Sequence, residues 1–336
     1  MGRPSALLLA AVAVSAMSAM SVAVAGCAAP VAGTSVPEAS AAKDAGAPLT
    51  GQIALGDLPT IDYCSLLIPL TLPDELGQLV LLPRPAYDYC AFTVRTKGID
   101  VGVTVGVVDE GDPPGGARRT PDPDRTLPRG LRAQRVREAP DHCTRYLTFT
   151  DSVSIMIQAD STVGEHPGHV DSCPIVEATL SVVVDRVLGK RVKHYDFAAN
   201  SAGRLDACDL LSASALAARL GVPRMQTEHW ASTHTCRWSA VGGAGPVVRL
   251  SIAPVDSSFD LEHTKQETIA GSATYVTPNN TRPDFPACQL ETTAADSPQL
   301  GARELVLLEV GLPGKGNDAC GPGRALAAEV WPKLPR

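Results

Sequence analysis

The residues with the clearest capacity for chemistry are nine cysteines, one near the N-terminus and eight further along the chain. The eight form two sets of four with similar spacing, namely Cys64, Cys90, Cys143 and Cys173, then Cys208, Cys236, Cys288 and Cys320. Cysteines in even numbers commonly form disulfide bonds in proteins outside the cytoplasm. A structural zinc site is disfavoured, because the sequence contains no Cys-x-x-Cys pair of the kind that such sites use.

Spacing alone does not decide the pairing within each set, because four cysteines allow three connectivities. We favour pairs of neighbours in the sequence, which are Cys64–Cys90, Cys143–Cys173, Cys208–Cys236 and Cys288–Cys320. In these pairs one cysteine adjoins a helix signal and the other adjoins a strand signal, so each bond would hold a helix on a sheet. A disulfide that closes a loop of this length contributes about 3–4 kcal/mol in the loop-entropy account.

Other residues repeat with the cysteines. Cys208 follows Cys64 by 144 positions, and further residues keep that offset without a gap: Asp62, Leu66, Leu67, Leu76 and Gly77 recur as Asp206, Leu210, Leu211, Leu220 and Gly221. Such repetition predicts a tandem duplication. We therefore expect two homologous modules, a first module of residues 58–190 and a second module of residues 204–336, joined by a polar linker of residues 191–203.

Each module is predicted to be α+β, with an antiparallel sheet packed by an early and a late helix. In the second module, Ser212 can cap an early helix that ends at Gly221. The early helix of the first module is expected after Thr71. Residues 99–108 and Val247–Val255 are rich in β-branched residues and predict strands. In the first module, the apolar residues of the late helix recur at spacings of three and four, namely Val176, Leu180, Val183, Val184 and Val187. Residues 325–330 are its shorter equivalent in the second module, and residues 259–269 look helical.

The N-terminus has the layout of an export signal. Arg3 precedes an apolar stretch and small residues, and Ala25-Gly26-Cys27 follows, so we predict a signal peptide of residues 1–26 and lipidation of Cys27 with palmitate-type chains. An uncleaved membrane helix is the alternative, disfavoured by its many Ala and Ser residues. Residues 27–57 are predicted to be a flexible tether. Both readings place the remainder outside the cytoplasm, on the cell membrane.

A lipobox cysteine, an Asp-x-Cys-x-Leu-Leu segment and a Cys-Arg-Trp strand occur together in this chain. Their residues in the second module are Asp206, Cys208, Leu210, Leu211, Cys236 and Trp238. This pattern resembles an actinobacterial lipoprotein domain of unknown function, and its plan is similar to the extracellular sensor domains of mycobacterial serine/threonine kinases. The first module departs from it, with Ala91 and Phe92 in place of Arg and Trp. The resemblance implies an envelope location and an α+β fold, and it transfers no catalytic residues.

Other chemical signals are weaker. Glu165, His166 and His169, with Asp171 nearby, could bind zinc, but loop histidines beside Pro and Gly are usually solvated, so we predict no metal and no cofactor. Residues 311–323 are glycine-rich and are read as a loop rather than an anion site. Seven arginines could dock acidic lipids or cell-wall phosphates, with a solvated loop as the alternative: Arg118, Arg119, Arg125, Arg129, Arg132, Arg135 and Arg137.

The overall balance of charge limits the partners. Twenty-nine basic and 36 acidic residues give a net charge of −7, spread along the chain, which disfavours nucleic acid as a partner. We expect a non-catalytic binding or sensing lipoprotein, with an apolar-lined pocket for a small molecule or glycolipid. A structural or protein-interaction role in the envelope is the alternative. A hydrolase ranks third, because no nucleophile, histidine and acid can be assembled from the spacing.

Overall fold

A computed structural model describes residues 46–110, 119–123, 125–136, 139–162, 166–255, 265–279, 282, 284–297 and 301–335. The predicted signal peptide, Cys27 and most of the predicted tether lie outside these residues. Ala45–Arg336 form one compact unit. In the described part of the chain, no helix combines the length and the apolar character that crossing a bilayer requires.

The first sheet lies in the first module and has seven strands. A short strand β1 (Ile61–Asp62) precedes it. Its strands are β2 (Gln78–Pro85), β3 (Tyr89–Thr96), β4 (Ile99–Glu110), β5 (Thr120–Pro121), β6 (Arg132–Arg135), β7 (His142–Thr148) and β8 (Val153–Asp160). They lie side by side in the order β2-β3-β4-β8-β7-β6-β5, and each neighbouring pair is antiparallel. The core of the module lies on one face of this sheet.

The second sheet follows strand β9 (Lys193–His194), which pairs with β1. Its strands are β10 (Met225–His229), β11 (Thr235–Ala240), β12 (Val247–Val255), β13 (Lys265–Ile269), β14 (Ser272–Asn279), β15 (Ala287–Ser297) and β16 (Ala302–Gly311). Their order is β10-β11-β12-β16-β15-β14-β13, again antiparallel throughout. Counted along the chain, this order matches that of the first sheet. The described chain is therefore α+β, with two seven-stranded antiparallel sheets and the two-stranded pair of β1 and β9.

In the described residues, four α-helices accompany the sheets: α1 (Gly51–Leu55), α2 (Cys173–Leu188), α3 (Ala213–Leu220) and α4 (Cys320–Val330). Helix α3 begins and ends where the sequence predicts. The Ser212 hydroxyl accepts the Ala215 N–H at 3.2 Å, and Gly221 takes the left-handed conformation, with φ of 68°, that glycine adopts most readily. Helix α2 buries an apolar face that includes Val176, Leu180 and Val183 in the first core.

The four disulfides form in the pairing predicted from the sequence. They are Cys64–Cys90, Cys143–Cys173, Cys208–Cys236 and Cys288–Cys320, with Cα–Cα distances between 5.0 and 5.2 Å. Each bond joins a strand to the first turn of a helix or 3-10 helix. Each module thus has two cross-links between its sheet and the helical segments that cover it.

Each late helix is also tied to its sheet by an ion pair, and the two ion pairs have opposite polarity. Glu177, four residues after Cys173 in α2, lies 2.6 Å from Nε of Arg145 and 3.4 Å from Nη1 of Arg125. Arg324, four residues after Cys320 in α4, forms a bidentate pair with Glu267 on β13 at 2.7 and 2.9 Å. The Arg324 hydrogen bonds lower the pKa of Glu267 to about 2.

Two helix predictions are wrong. The early helix of the first module is replaced by 3-10 turns at Tyr63–Leu66 and Asp74–Leu76. Pro69 and Pro73 account for this, because proline lacks the N–H that a helix interior needs and disfavours helical geometry in the residue before it. Of the predicted helix at residues 259–269, the described part is strand β13. Its residues Lys265–Ile269 pair in register with β14.

The predicted tether and linker are folded in part. Leu49, Ala54 and Leu55 belong to the first core, so the last residues of the predicted tether pack on the module. In the predicted linker, Tyr195 and Ala202 are buried in the second core. Their burial follows from contacts with distant residues, which a local reading of a polar segment cannot supply.

Candidate functional site

The repeated Asp-x-Cys motif is a structural device. In every disulfide, one cysteine donates its backbone N–H to a carboxylate two residues earlier. The pairs are Cys64 to Asp62 at 3.1 Å, Cys173 to Asp171 at 3.1 Å, Cys208 to Asp206 at 2.8 Å and Cys320 to Asp318 at 2.9 Å. This bond fixes the start of the helical turn and the position of the sulfur. The group Asp206, Cys208 and His229 offers no thiolate to a metal, because the Cys208 sulfur is bonded to Cys236.

The histidines of the possible zinc motif have separate partners. Nδ1 of His166 lies 3.1 Å from Oδ2 of Asp100, whereas Nδ1 of His169 lies 2.5 Å from Oδ2 of Asp141. Glu165 lies outside the described residues, and Asp171 caps Cys173. The described residues of the motif do not converge on one point. The Arg95 guanidinium beside Asp100 holds the pKa of that carboxyl at about 2.

Several members of the arginine run tie parts of the first module together. The guanidinium of Arg119 lies 3.8 Å from the Tyr146 ring centroid and donates to Ser154. Arg125 pairs with Glu177, and Arg129 donates to the Ala47 carbonyl at 3.0 Å. A further two arginines are exposed on β6, and Arg118 and Arg137 lie outside the described residues. The described arginines therefore do not form one continuous basic surface.

A buried polar junction joins the two modules. Glu304 on β16 is 0% exposed and accepts a hydrogen bond of 2.6 Å from the Tyr87 hydroxyl of the first module. The Ser201 hydroxyl also donates to this carboxylate, as does the Ala202 N–H at 2.5 Å. Three donors thus replace the water that a buried carboxylate loses.

The junction also contains a histidine, an aspartate and a serine, the residue types of a hydrolytic triad. Nδ1 of His234 lies 3.4 Å from Oδ1 of Asp88, and its Nε2 lies 2.8 Å from the Gly203 carbonyl oxygen. A catalytic histidine would need Nε2 directed at the nucleophile. Here Nε2 lies at hydrogen-bond distance from a backbone carbonyl oxygen instead. Both His234 and Ser232 are 0% exposed. This set of residues is a packing element and is closed to substrate.

Aromatic rings complete the junction. Tyr87 lies 5.6 Å from Tyr195 and 5.0 Å from Phe197, centroid to centroid, in edge-to-face geometry. Burial, together with the nearby Asp62 carboxylate, raises the pKa of Tyr195. Phe197 also packs against Gly203, where a Cβ atom would lie 2.4 Å from the ring. The predicted linker therefore supplies much of the contact between the modules.

The candidate binding site is a pocket of about 390 Å³ on the second sheet. It lies on the face opposite the core, which α4 covers. The side chains that define it are Arg237, Arg249, Asn279, Arg282, Phe285 and Glu309. Three of them lie in one row across the sheet, because Arg237 pairs with Arg249 and Arg249 pairs with Glu309 in register. We call this feature the arginine pocket.

The three arginines of the arginine pocket differ in whether a carboxylate pairs with them. Arg237 pairs with Glu228 at 2.9 Å. Arg249 stacks 5.4 Å from the Trp230 ring centroid, and its Nε is buried without an acceptor among the described residues. Arg282 lies 6.0 Å from the Phe285 ring centroid. Within the described parts of the chain, neither Arg249 nor Arg282 has a carboxylate within ion-pair distance.

A second pocket, of about 620 Å³, adjoins the first beside the start of α4. The glycine-rich loop of residues 311–323 forms part of its wall. Oδ1 of Asp318 accepts the N–H groups of Cys320 and Gly321 at 2.9 and 3.2 Å. The helix N-terminus is thus already neutralised by a carboxylate, which disfavours an anion there. The loop predicted over residues 311–323 is confirmed only for residues 312–319, because Gly311 ends β16 and residues 320–323 form the first turn of α4.

Local sequence patterns do not predict the arginine pocket or the junction. The sequence does carry one signal for the pocket. Arg237 is the arginine of the Cys-Arg-Trp segment, and Ala91 stands at the matching position in the first module. The neighbouring strand shows the same contrast between the modules. In the second module Arg249 pairs with Arg237 in register, whereas in the first module Thr104 pairs with Ala91. The two arginine positions of the second module therefore carry neutral residues in the first module. The sequence predicts an apolar-lined pocket, whereas the wall of this pocket is largely polar.

Comparisons with known proteins give no family. No protein-family model matches the chain, and no curated protein matches it. Among solved structures, the chain is similar to DynU16, a protein of the dynemicin biosynthetic locus, at 12% identity over 85% of this chain and 92% of that one. The TM-score is 0.16. A TM-score this low gives no information on fold or function.

Proposed function

We propose that this protein is an exported, lipid-anchored envelope protein that binds a ligand without transforming it, and that the arginine pocket is its binding site. The observation that carries the proposal is that Arg249 and Arg282 line a pocket of ligand size and that neither has a carboxylate partner among the described residues. A guanidinium group that faces a pocket without a protein carboxylate can pair with an anionic group of a ligand.

The four disulfides support the export of the chain. Such bonds form in oxidising compartments, and the signal-like N-terminus with Cys27 is consistent with that address. We propose further that the modules arose by duplication. Their matching strand order and their four equally placed disulfides support this.

The composition of the arginine pocket favours binding over covalent catalysis. Its described lining residues include no serine, threonine, cysteine or histidine. Guanidinium groups bind anions through fixed, forked donors and stay charged at any physiological pH. Glu309 in the same wall can accept hydrogen bonds from hydroxyl groups.

Two measurements test the proposal. Metabolic labelling with an alkyne fatty acid in a bacterial host should label the wild-type chain, and Cys27→Ala should abolish both the label and the membrane fraction. Native mass spectrometry of the chain lacking its anchor, after incubation with an envelope extract, should show a bound small molecule. A stoichiometric protein in place of a small molecule would favour the interaction role. A wild-type chain without label would contradict the lipid anchor. A chain that gains no mass from the extract would contradict the binding of a ligand.

A further inference from the structure

We infer that the ligand of the arginine pocket is a small hydroxylated ring compound bearing an acid group, either phosphate or carboxylate, of the kind found in sugar phosphates and sugar acids. This inference rests on the proposed function and names the class of ligand. It is carried by the placement of three kinds of group around one cavity. These are two guanidinium groups, an acceptor carboxylate and an aromatic ring.

The acid group is assigned to Arg249 and Arg282. Both line the pocket, and neither has a carboxylate partner in the described residues. Arg249 is held in place by stacking on Trp230, so its orientation is set before a ligand arrives. A phosphate or carboxylate oxygen is the acceptor that guanidinium groups bind most strongly, so an acid group in the pocket can pair with both arginines.

The hydroxyl groups are assigned to Glu309. This half-buried side chain lies beside Arg249 in the register of β12 and β16, and no cation lies within ion-pair distance of it in the described chain. A carboxylate can only accept hydrogen bonds, so it favours a ligand with hydroxyl donors and disfavours a bare polyanion. A ligand that carries one acid and several hydroxyl groups satisfies both parts of the wall.

The ring is assigned to the side of the pocket formed by Phe285. Its aromatic ring packs against Gly311, where a Cβ atom would lie 2.3 Å from a ring carbon. Glycine at this position therefore lets the Phe285 ring approach the sheet closely beside the arginines. The pocket volume of about 390 Å³ suits one ring with an acid substituent.

The test is calorimetric titration of the folded chain lacking its anchor with four probes, namely glucose 6-phosphate, glucuronate, inorganic phosphate and glucose. Glucose 6-phosphate or glucuronate should bind more tightly than phosphate and glucose, and the tighter of the two identifies the acid. Arg249→Gln and Arg282→Gln should each weaken that binding by tenfold or more. Arg132→Gln, an exposed arginine on β6 of the first module with the same change in charge, is the matched control and should leave it unchanged.

Two results would overturn the inference: no binding of either acid at millimolar concentration, or equal binding by wild type and both pocket variants. Circular dichroism of each variant shows whether Arg249→Gln still folds, and the exposed Arg282 supplies a variant outside the sheet. A neutral ligand recovered from the envelope extract and lost in Phe285→Ala would leave the binding function standing while refuting an acidic ligand. The absence of any ligand in both experiments would refute both.

Discussion

The Tyr87 hydroxyl of the first module donates a hydrogen bond of 2.6 Å to the Glu304 carboxylate of the second, across 217 residues of sequence. Around this contact, the Thr235 hydroxyl donates to Asp88 at 2.5 Å, and rings from the linker enclose the rest. Both partners of this contact are buried and enclosed by protein. The two modules are therefore joined by a packed interior of the kind found within a domain, rather than by a flexible connection.

Tyr87→Phe should lower the free energy of unfolding by about 1.5–3 kcal/mol, because a buried carboxylate loses one of its three donors. Urea denaturation followed by fluorescence measures the loss. Tyr89→Phe removes a hydroxyl from a neighbouring tyrosine that is 37% exposed, and it should change stability little. Equal effects of the two changes would show that the junction bond contributes nothing beyond ring packing.

Glu291→Gln should stabilise the protein at neutral pH. Glu291 on β15 is 6% exposed, and burial raises its pKa, so the fold disfavours the ionised form. A raised pKa adds stability below the unfolded value, about 4.3, which is lost as pH rises through the folded value. The wild type should therefore lose stability relative to Glu291→Gln between acidic and neutral pH. Glu75→Gln, at an exposed position, is the control, and a constant difference across pH would contradict the prediction.

Asp100→Asn should weaken the protein at neutral pH and change its acid sensitivity. The hydrogen bonds and charge of Arg95, with help from His166, lower the pKa of Asp100 to about 2. A lowered pKa gives stability that is present above the unfolded value, about 4, and lost as pH falls toward 2. The difference between wild type and variant should thus shrink between pH 4 and pH 2. Thermal melts across that range measure it, and a difference independent of pH would refute this account.

Cys208→Ser combined with Cys236→Ser should destabilise the protein by about 3–4 kcal/mol, since this bond closes a loop with a sequence separation of 28 residues. Guanidinium titrations of the oxidised proteins measure the change. The companion variant with Cys288→Ser and Cys320→Ser, which opens a loop of separation 32, should lose a similar amount. A loss below 1 kcal/mol in both would show that the bonds do not carry the fold.

The sequence predicts those parts of the fold that local signals specify. Helix α3 has the predicted bounds because Ser212 and Gly221 act within one turn of its ends. The strand at Val247–Val255 matches because its β-branched residues carry their own preference. Strand β10 was missed because its residues are mostly polar and lie at a sheet edge, where pairing with β11 rather than propensity decides the structure.

The candidate site could not be derived in the same way. Arg237, Arg249 and Glu309 become neighbours only through the register of three strands that are far apart in sequence. Tyr87 and Glu304 meet through the packing of one module on the other. Neither arrangement has a periodic signature along the chain. The sequence therefore shows which residue types are present but does not predict that they lie close together in the fold.

The opposite polarity of the ion pairs on the two late helices bears on how the chain avoids misassembly. Helix α2 placed on the second sheet in the position of α4 would bring Glu177 toward Glu267. Like charges in contact repel, which penalises exchange of the helices between halves or between neighbouring molecules. Two parts built to nearly the same plan can in this way fold side by side, each recognising its own helix.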